Sequence, residues 1–465
     1  MIYFVAAIAA IAGLLFGYDE GVIAVASPSL ERDFPMSPFE QGLMTAAVPL
    51  GALFGAIVAG RLTERFGRRG VLMMAAALFI AGALASAAVG SIQLLMFTRL
   101  MLGLAIGVAA VVAPLYIAET APLKIRGAMV STYQLAITVG IVLSYVTGLV
   151  LGIEGTWRVM FGIGAIPGVV FLIGLAFLPE SPRWLVLRHR ETEATASLRR
   201  LRGPTANIEA EIEDIRRVAA MEQHTTSGVS QLLAPWVRPA LIVGAGLYFL
   251  QQLSGINAII YYAPTIFAHA GLSSESTQVM ATVGIGIVNL LVTIVAMTLI
   301  DRVGRRPLLV AGFVGTACSL ALIAVASLLP GLFPTWIVVA ALVGYIASFA
   351  ISLGPLPHVI MSEVFPLSVR GVGMGMASVS NWGFNFIVVF MFPILLGAVG
   401  LAGTFGLFAV VCLGGIVFTL TRVPETNGSS LERIESHLRA GHALSELRPS
   451  TEAGNVNRVK PGDSR

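Results

Sequence analysis

The sequence predicts an all-α membrane protein of twelve transmembrane helices in two six-helix halves, with a small cytoplasmic helical segment between them. Three observations carry that prediction: a chain too apolar for water, an alternation of basic loops, and a set of motifs that occurs twice in the same order. The 465 residues are 56% hydrophobic and 12% charged, against the ~25% charged fraction of soluble domains. About 20 apolar residues cross a ~30 Å hydrocarbon core. Runs of that length recur at about 2–24, 41–60, 70–90, 93–116, 127–151, 159–178, 239–266, 277–300, 307–329, 335–361, 371–397 and 401–421. The first run has no basic region before it and no small-residue cleavage site ahead of Asp19-Glu20, so it reads as a span rather than a removable signal.

The basic residues give the orientation. All Lys and Arg except Arg32, Arg99 and Arg158 fall in alternate loops, at 61–69, 124–126, 183–238, 302–306 and 370, or in the tail 422–465. This is the positive-inside pattern for an even number of spans with both termini cytoplasmic. The pI near 9.3 therefore reflects topology, and no nucleic-acid partner is implied. Cys318 and Cys412 lie inside predicted spans, which leaves no disulfide framework and no metal-ligand spacing.

The repeat has an offset of about 240 residues: Arg65-Phe-Gly-Arg-Arg69 returns as Arg302-Val-Gly-Arg-Arg306, Glu119-Thr-Ala-Pro-Leu-Lys-Ile-Arg-Gly127 as Glu363-Val-Phe-Pro-Leu-Ser-Val-Arg-Gly371, and Pro179-Glu-Ser181 as Pro424-Glu-Thr426. The chain then divides into a bundle at 1–178, a cytoplasmic helical linker at 179–238, a second bundle at 239–421 and a polar, partly disordered tail at 422–465. Two parallel halves place a central site at their interface near the midplane.

The stretch Phe249-Leu-Gln-Gln-Leu-Ser-Gly-Ile-Asn-Ala-Ile-Ile-Tyr-Tyr-Ala-Pro264 sets Gln251, Gln252 and Asn257 in a run otherwise apolar enough to span. Burying an unsatisfied amide costs roughly 1–3 kcal/mol, so these side chains seek polar partners or a ligand rather than lipid. On an ideal helix Gln252 and Asn257 stand ~140° apart, and Ser254-Gly255 is where a bend would turn them toward one cavity. Interhelical glue is the alternative; the density of polar groups favours a ligand site. Asp19 and Glu20 are carboxylates in an apolar helix, each costing on the order of 2.5–3.5 kcal/mol at a helix centre. Arg99 is the one basic residue placed within the membrane to neutralise them.

These residues resemble the sugar porter family of the major facilitator superfamily, over essentially the whole chain: Phe16-Gly-Tyr-Asp19, the Gly-Arg-Arg loops, Pro114-Leu-Tyr-Ile-Ala-Glu119, Pro179-Glu-Ser-Pro-Arg183, Gln251-Gln-Leu-Ser-Gly-Ile-Asn257 and Pro424-Glu-Thr426, in family order. The resemblance implies alternating access for a monosaccharide, in a bacterial inner membrane, by a functional monomer. It implies that Asp19 and Arg99 form the proton-coupling pair; since desolvation and a nearby cation push a carboxylate in opposite directions, a pair that parts and rejoins can load and release a proton. The competing reading is a static ion pair. Glu20 departs from the small or amide residue expected after the aspartate.

For the substrate, the resemblance adds Gln134, Asn289 and Asn381 to Gln251, Gln252 and Asn257, with aromatic support from Phe16 and Trp382. Neutral amides donate and accept, and so suit hydroxyls. His358 stands where the family usually has a tryptophan, and Ala350 where some members have a glutamate, which points to a smaller, more polar or more weakly held substrate. Gly354-Pro-Leu-Pro357 should break the tenth span and leave backbone carbonyls to a cavity.

The repeated charges, Arg65, Arg68, Arg69, Glu119, Arg126 and Glu180 in one half and Arg302, Arg305, Arg306, Glu363, Arg370 and Glu425 in the other, read as a cytoplasmic gate rather than topology signals alone. Exposed pairs contribute only ~0–1 kcal/mol each, so a gate needs the network. In the linker, Ile208, Ile212, Ile215 and Ala219 trace one face of an amphipathic helix. No nucleophile triad, metal set or phosphate-binding loop appears, so the expected protein is no enzyme and needs no cofactor beyond the proton as coupling ion. The expected function is proton-coupled import of a monosaccharide, such as the hexose glucose, ahead of a facilitative uniporter and a non-transporting sugar sensor.

Overall fold

The computed structural model describes residues 1–122, 125–151, 157–203, 207–223, 234–329, 331–366, 369–426 and 431–440, together with 442 and 444. Eleven of the described helices are long and apolar enough to cross a membrane. The last, Arg370–Arg422, is two spans joined without a loop, because Gly400 interrupts it at φ 67° and ψ −176°, a backbone conformation that glycine adopts freely. The expected twelve spans follow, in an all-helical fold.

Boundaries shift where packing overrides local signals. The first helix runs over Ile2–Asp33 with Pro28 inside it, well past the expected end at 24. Pro28 leaves Ala24 O without its helical donor, and Ser27 Oγ adds a bond to the neighbouring Ile23 O at 2.8 Å; a proline inside a buried helix is tolerated where the surrounding groups hold the turn. The seventh span is three short helices, Arg238–Leu253, Ile256–Tyr261 and Ala263–His269. The tenth runs from Thr335–Ser348 through a π-helical segment, Phe349–Leu353, into Leu356–Val364.

The first and fifth spans (the fifth is Arg126–Leu151) meet backbone to backbone. A Cβ at Gly17 would lie 1.9 Å from Ile137 O, so a larger residue there would drive the two helices apart. This contact holds the first span against its own half while its other faces point to the fourth span and to the second half.

The halves share one core and keep another apart. Tyr18, Val22 and Trp157 of the first half pack in one buried cluster with Ile256, Tyr261 and Phe392 of the second. A different cluster, with Leu72, Leu102, Tyr116 and Phe171, belongs to the first half and receives Trp382 from the second. In the second half this core runs through to Leu308 and Val423 beside the Gly-Arg-Arg loop, but its first-half members, from Tyr18 to Leu30 and at Tyr145 and Trp157, lie toward the opposite, remote face. There Tyr145 Oη donates to Ile260 O at 3.0 Å, Arg32 pairs with Glu275 at 3.2 Å, and the Phe39 and Phe390 rings lie 5.3 Å apart. The remote face is closed.

The linker folds under the basic face of the first half. Trp184 Nε1 donates to Glu64 O at 3.0 Å and Arg202 Nη1 to Thr120 O at 2.6 Å. Ile208 and Ile212 of the helix Ile208–Gln223 are buried with Trp184 and Leu198, and Ile215 packs against them, while the side chain of Ala219 lies outside the described residues. Within the tail a helix spans Leu431–Arg439, with Ile434 and Leu438 buried and the Arg439 guanidinium 4.4 Å from the Trp236 ring. Two apolar side chains four residues apart suffice to dock one short helix face.

Candidate functional site

The charged part of the site hangs on the first span. Tyr18 Oη donates to Met160 O at 2.8 Å, which fixes the rotation of the helix, and the next residue, Asp19, then faces the fourth span, Ile92–Thr120. Arg99 Nη1 and Nη2 donate to the two carboxylate oxygens of Asp19 at 3.3 Å each. Arg99 is wholly buried and Asp19 is 4% exposed. The fork geometry matches the two-oxygen acceptor, and the Phe161 ring lies 5.4 Å from the guanidinium carbon. Such a pair is costly to break by removing one partner, about 3–5 kcal/mol, because the other charge is left buried.

The amide part depends on the break in the seventh span. Ser254 Oγ donates to Gln251 O at 2.6 Å, and Gly255 takes φ 91° where a Cβ would meet the Phe408 ring at 2.5 Å. Glycine is required there on both counts. The break cancels the ~140° separation of an ideal helix: Asn257 Nδ2 donates to Gln252 Oε1 at 2.7 Å, and Gln252 Nε2 donates to Asn381 Oδ1 at 2.6 Å. Three amides from the seventh and eleventh spans form one chain.

Gln251 is engaged differently from the expectation. Its Nε2 donates to Leu353 O at 2.6 Å and to Gly354 O at 3.3 Å, so this side chain, not a cavity, satisfies carbonyls released at Gly354-Pro-Leu-Pro357. Gln251 Oε1 and Asn385 Oδ1 are buried acceptors without a protein partner. Phe16 meets Trp382 edge to face across the two halves, centroids 5.1 Å apart. His358 sets its ring against Tyr248 at 5.2 Å and is exposed. Gln134 is half-buried and Asn289 buried.

On the basic face the two copies of the motif fold alike. Arg68 Nη2 donates to Glu119 at 2.8 Å, and the backbone N–H of Arg68 and Arg69 donate to Glu180. In the second half Arg305 Nη2 donates to Glu363 at 3.0 Å, and the backbone N–H of Arg305 and Arg306 donate to Glu425. Arg65 and Arg302 are exposed, and Arg126 is half-buried; the side chain of Arg370 lies outside the described residues. Two members were missed from sequence: Ser181 Oγ and Thr426 Oγ1 each donate to the glutamate of their half, at 2.5 Å. The signal was present, since each follows the repeated Pro-Glu. The seal contacts Tyr145–Ile260 and Arg32–Glu275 had no such signal, because they join segments that are not repeats of each other.

A sugar (and other) transporter family matches residues 5–438. The chain belongs to that family. Among relatives of this transporter, a putative metabolite transport protein of Bacillus subtilis is 42% identical over 92% of this chain and 93% of its own length, and the galactose-proton symporter of Escherichia coli K12 is 39% identical over 96% of each. Among solved structures, a partially occluded inward open conformation of the E. coli xylose transporter XylE superposes with a TM-score of 0.81 at 28% identity, over 92% of this chain and 99% of that one. The fold is that of the major facilitator superfamily, the protein is a multi-pass membrane protein, and its chemistry is transport rather than catalysis.

Proposed function

We propose that this transporter is a proton-coupled symporter that imports a monosaccharide, a hexose such as glucose, by alternating access. The observation that carries the reading is the juxtaposition of a buried, two-pronged Asp19–Arg99 pair with the chain Asn257–Gln252–Asn381. Relatives support it: one is a galactose-proton symporter and another an arabinose-proton symporter, both of E. coli, and a third is a glucose transporter of Staphylococcus epidermidis. The amide chain is neutral and bidirectional in hydrogen bonding, which suits a polyol; an anionic sugar would call for more than one buried guanidinium.

In this reading the basic face is cytoplasmic, both termini lie there, and the closed remote face makes the structure inward-facing. Asp19 is ionised against Arg99 after releasing its proton inward. When the remote face opens, a proton from outside neutralises Asp19 and frees Arg99, sugar replaces the amide–amide bonds, and the halves rock over. Gln134, Asn289 and His358 complete the sugar contacts, Gln251 holds the broken tenth span in register, and Phe16 and Trp382 close on the ring. The protein works as a monomer. A uniporter has no use for a buried titratable pair, which ranks it second.

Asp19→Asn in proteoliposomes tests the reading. Uphill accumulation of D-glucose or D-galactose under an imposed pH gradient should fall at least about tenfold, the equivalent of ~1.4 kcal/mol, while equilibrium exchange persists. Accumulation equal to that of the unaltered protein would assign coupling elsewhere.

A further inference from the structure

Glu20 is a buried carboxyl that the coupling pair does not use. It is 3% exposed and makes no hydrogen bond or ion pair among the described residues, while both terminal nitrogens of Arg99 are committed to Asp19. The cluster thus holds two carboxyls and one cation. At ~100° per residue Glu20 stands about 40° around the first span from Phe16, one turn nearer the remote face, and Phe16 already touches the second half at Trp382. The groups around Glu20 are Asp19 and Tyr18 on its own helix, Arg99 on the fourth span, Tyr145 on the fifth and Tyr261 on the seventh; both of these tyrosines lie within its electrostatic reach. The Tyr261 hydroxyl is itself buried without a partner. Tyr145 is a strut of the seal, through its bond to Ile260 O.

We propose that Glu20 is a second proton-binding site of the transport cycle, charged while the remote face is open to water and protonated when the Tyr145–Ile260 seal closes over it. The proposal rests on the alternating-access reading above, but not on Asp19 as the coupling residue. The physical reason is charge. With Asp19 already balancing Arg99, a second buried carboxylate has no counter-ion of its own, and the neutral acid is the form that low-dielectric surroundings accept. Closure then takes one proton from the remote-side water onto a Glu20 oxygen, and opening returns it. The Glu20 proton, bound in the closed form, makes low pH favour closure and high pH favour opening, by up to about tenfold in the open-to-closed ratio per pH unit; the Asp19 proton, bound in the open form, acts with the opposite sign and must be removed for the Glu20 slope to be read.

The test reads that ratio directly. Nitroxide labels at Gln93→Cys and Ser273→Cys, exposed positions of the two halves on the remote face, in a Cys318→Ser, Cys412→Ser background, report the open and closed distances in lipid nanodiscs without sugar from pH 5.5 to 8.5. The open fraction should rise with pH in Asp19→Asn, where the opposing proton is gone, keep that slope in the double variant Asp19→Asn, Glu20→Asp, and lose most of it in Asp19→Asn, Glu20→Gln, with Glu20→Thr as the substitute if Gln fails to elute as a single species. An Asp19→Asn protein with no pH slope, or an Asp19→Asn, Glu20→Gln protein that keeps the Asp19→Asn slope, overturns the proposal. Failure of the coupling reading shows elsewhere, as surviving gradient-driven accumulation in Asp19→Asn.

Discussion

The two halves of this transporter agree at the basic face and differ at the midplane. At the face, one geometry appears twice: an arginine paired with a glutamate, a second glutamate under two backbone N–H groups, and a hydroxyl closing the first carboxylate. In the middle they differ: the first carries Asp19, Glu20 and Arg99 with one amide, Gln134, the second Gln251, Gln252, Asn257 and Asn381 without a charge among them. A duplicated bundle keeps the same end-fittings because both halves turn the same tight loop, at Gly67 with φ 80° and Gly304 with φ 98°. It divides the labour inside, with charge on one side and neutral hydrogen bonding on the other.

The agreement is not complete, and the largest expected effect lies in its remainder. The side chains of Arg68 and Glu119 are 11% and 4% exposed, whereas those of Arg305 and Glu363 are 10% and 24% exposed. Removing one partner of a buried pair costs about 3–5 kcal/mol, and the cost falls as the stranded charge regains water. Arg68→Ala strands Glu119 in the dry site, so it should lower the melting temperature in detergent clearly more than Arg305→Ala. Equal losses would mean that the two copies are mechanically interchangeable despite their burial.

The next effect belongs to the midplane. Gln252 is the middle member of the amide chain, donating to Asn381 and accepting from Asn257. Gln252→Ala removes both bonds and, on the proposed reading, one sugar ligand. At about 1–3 kcal/mol for an unsatisfied buried partner, sugar affinity measured by calorimetry should weaken by roughly 5–150-fold, with exchange slowed but the fold retained. Unchanged affinity would reduce the chain to interhelical glue.

What the sequence made legible follows the same division. Spans, orientation and the duplicated face were readable because hydropathy, loop charge and repetition are local or self-comparing signals. The pairing of Asp19 with Arg99 was readable because an apolar span leaves one guanidinium for a buried carboxylate. The break at Gly255 was readable as a place, but its outcome was not: that Gln251 would turn to the Leu353 and Gly354 carbonyls while Gln252 and Asn257 joined depends on how far the helix unwinds and on the ring of Phe408. Nor was the tail helix foreseen, since Ile434 and Leu438 offer only two apolar residues, and their burial depends on what lies above them.

The smallest effect tests a charged contact that crosses between the halves at the remote face. Arg32 and Glu275 are 53% and 42% exposed and 3.2 Å apart, and a pair that wet contributes ~0–1 kcal/mol. Within one half such an amount would vanish into total stability. Here the bond exists only while the remote face is closed, so whatever it contributes falls entirely on the open–closed equilibrium. Arg32→Ala should therefore leave the melting temperature unchanged and raise the open-to-closed ratio by at most about fivefold, visible as a larger open population in the label distances at fixed pH. The double variant Arg32→Glu, Glu275→Arg should restore the original ratio, and added salt should erase the difference between them. A ratio unmoved by Arg32→Ala at low salt would assign the closed face to its apolar contacts alone, Phe39 on Phe390 and the core shared by the two halves.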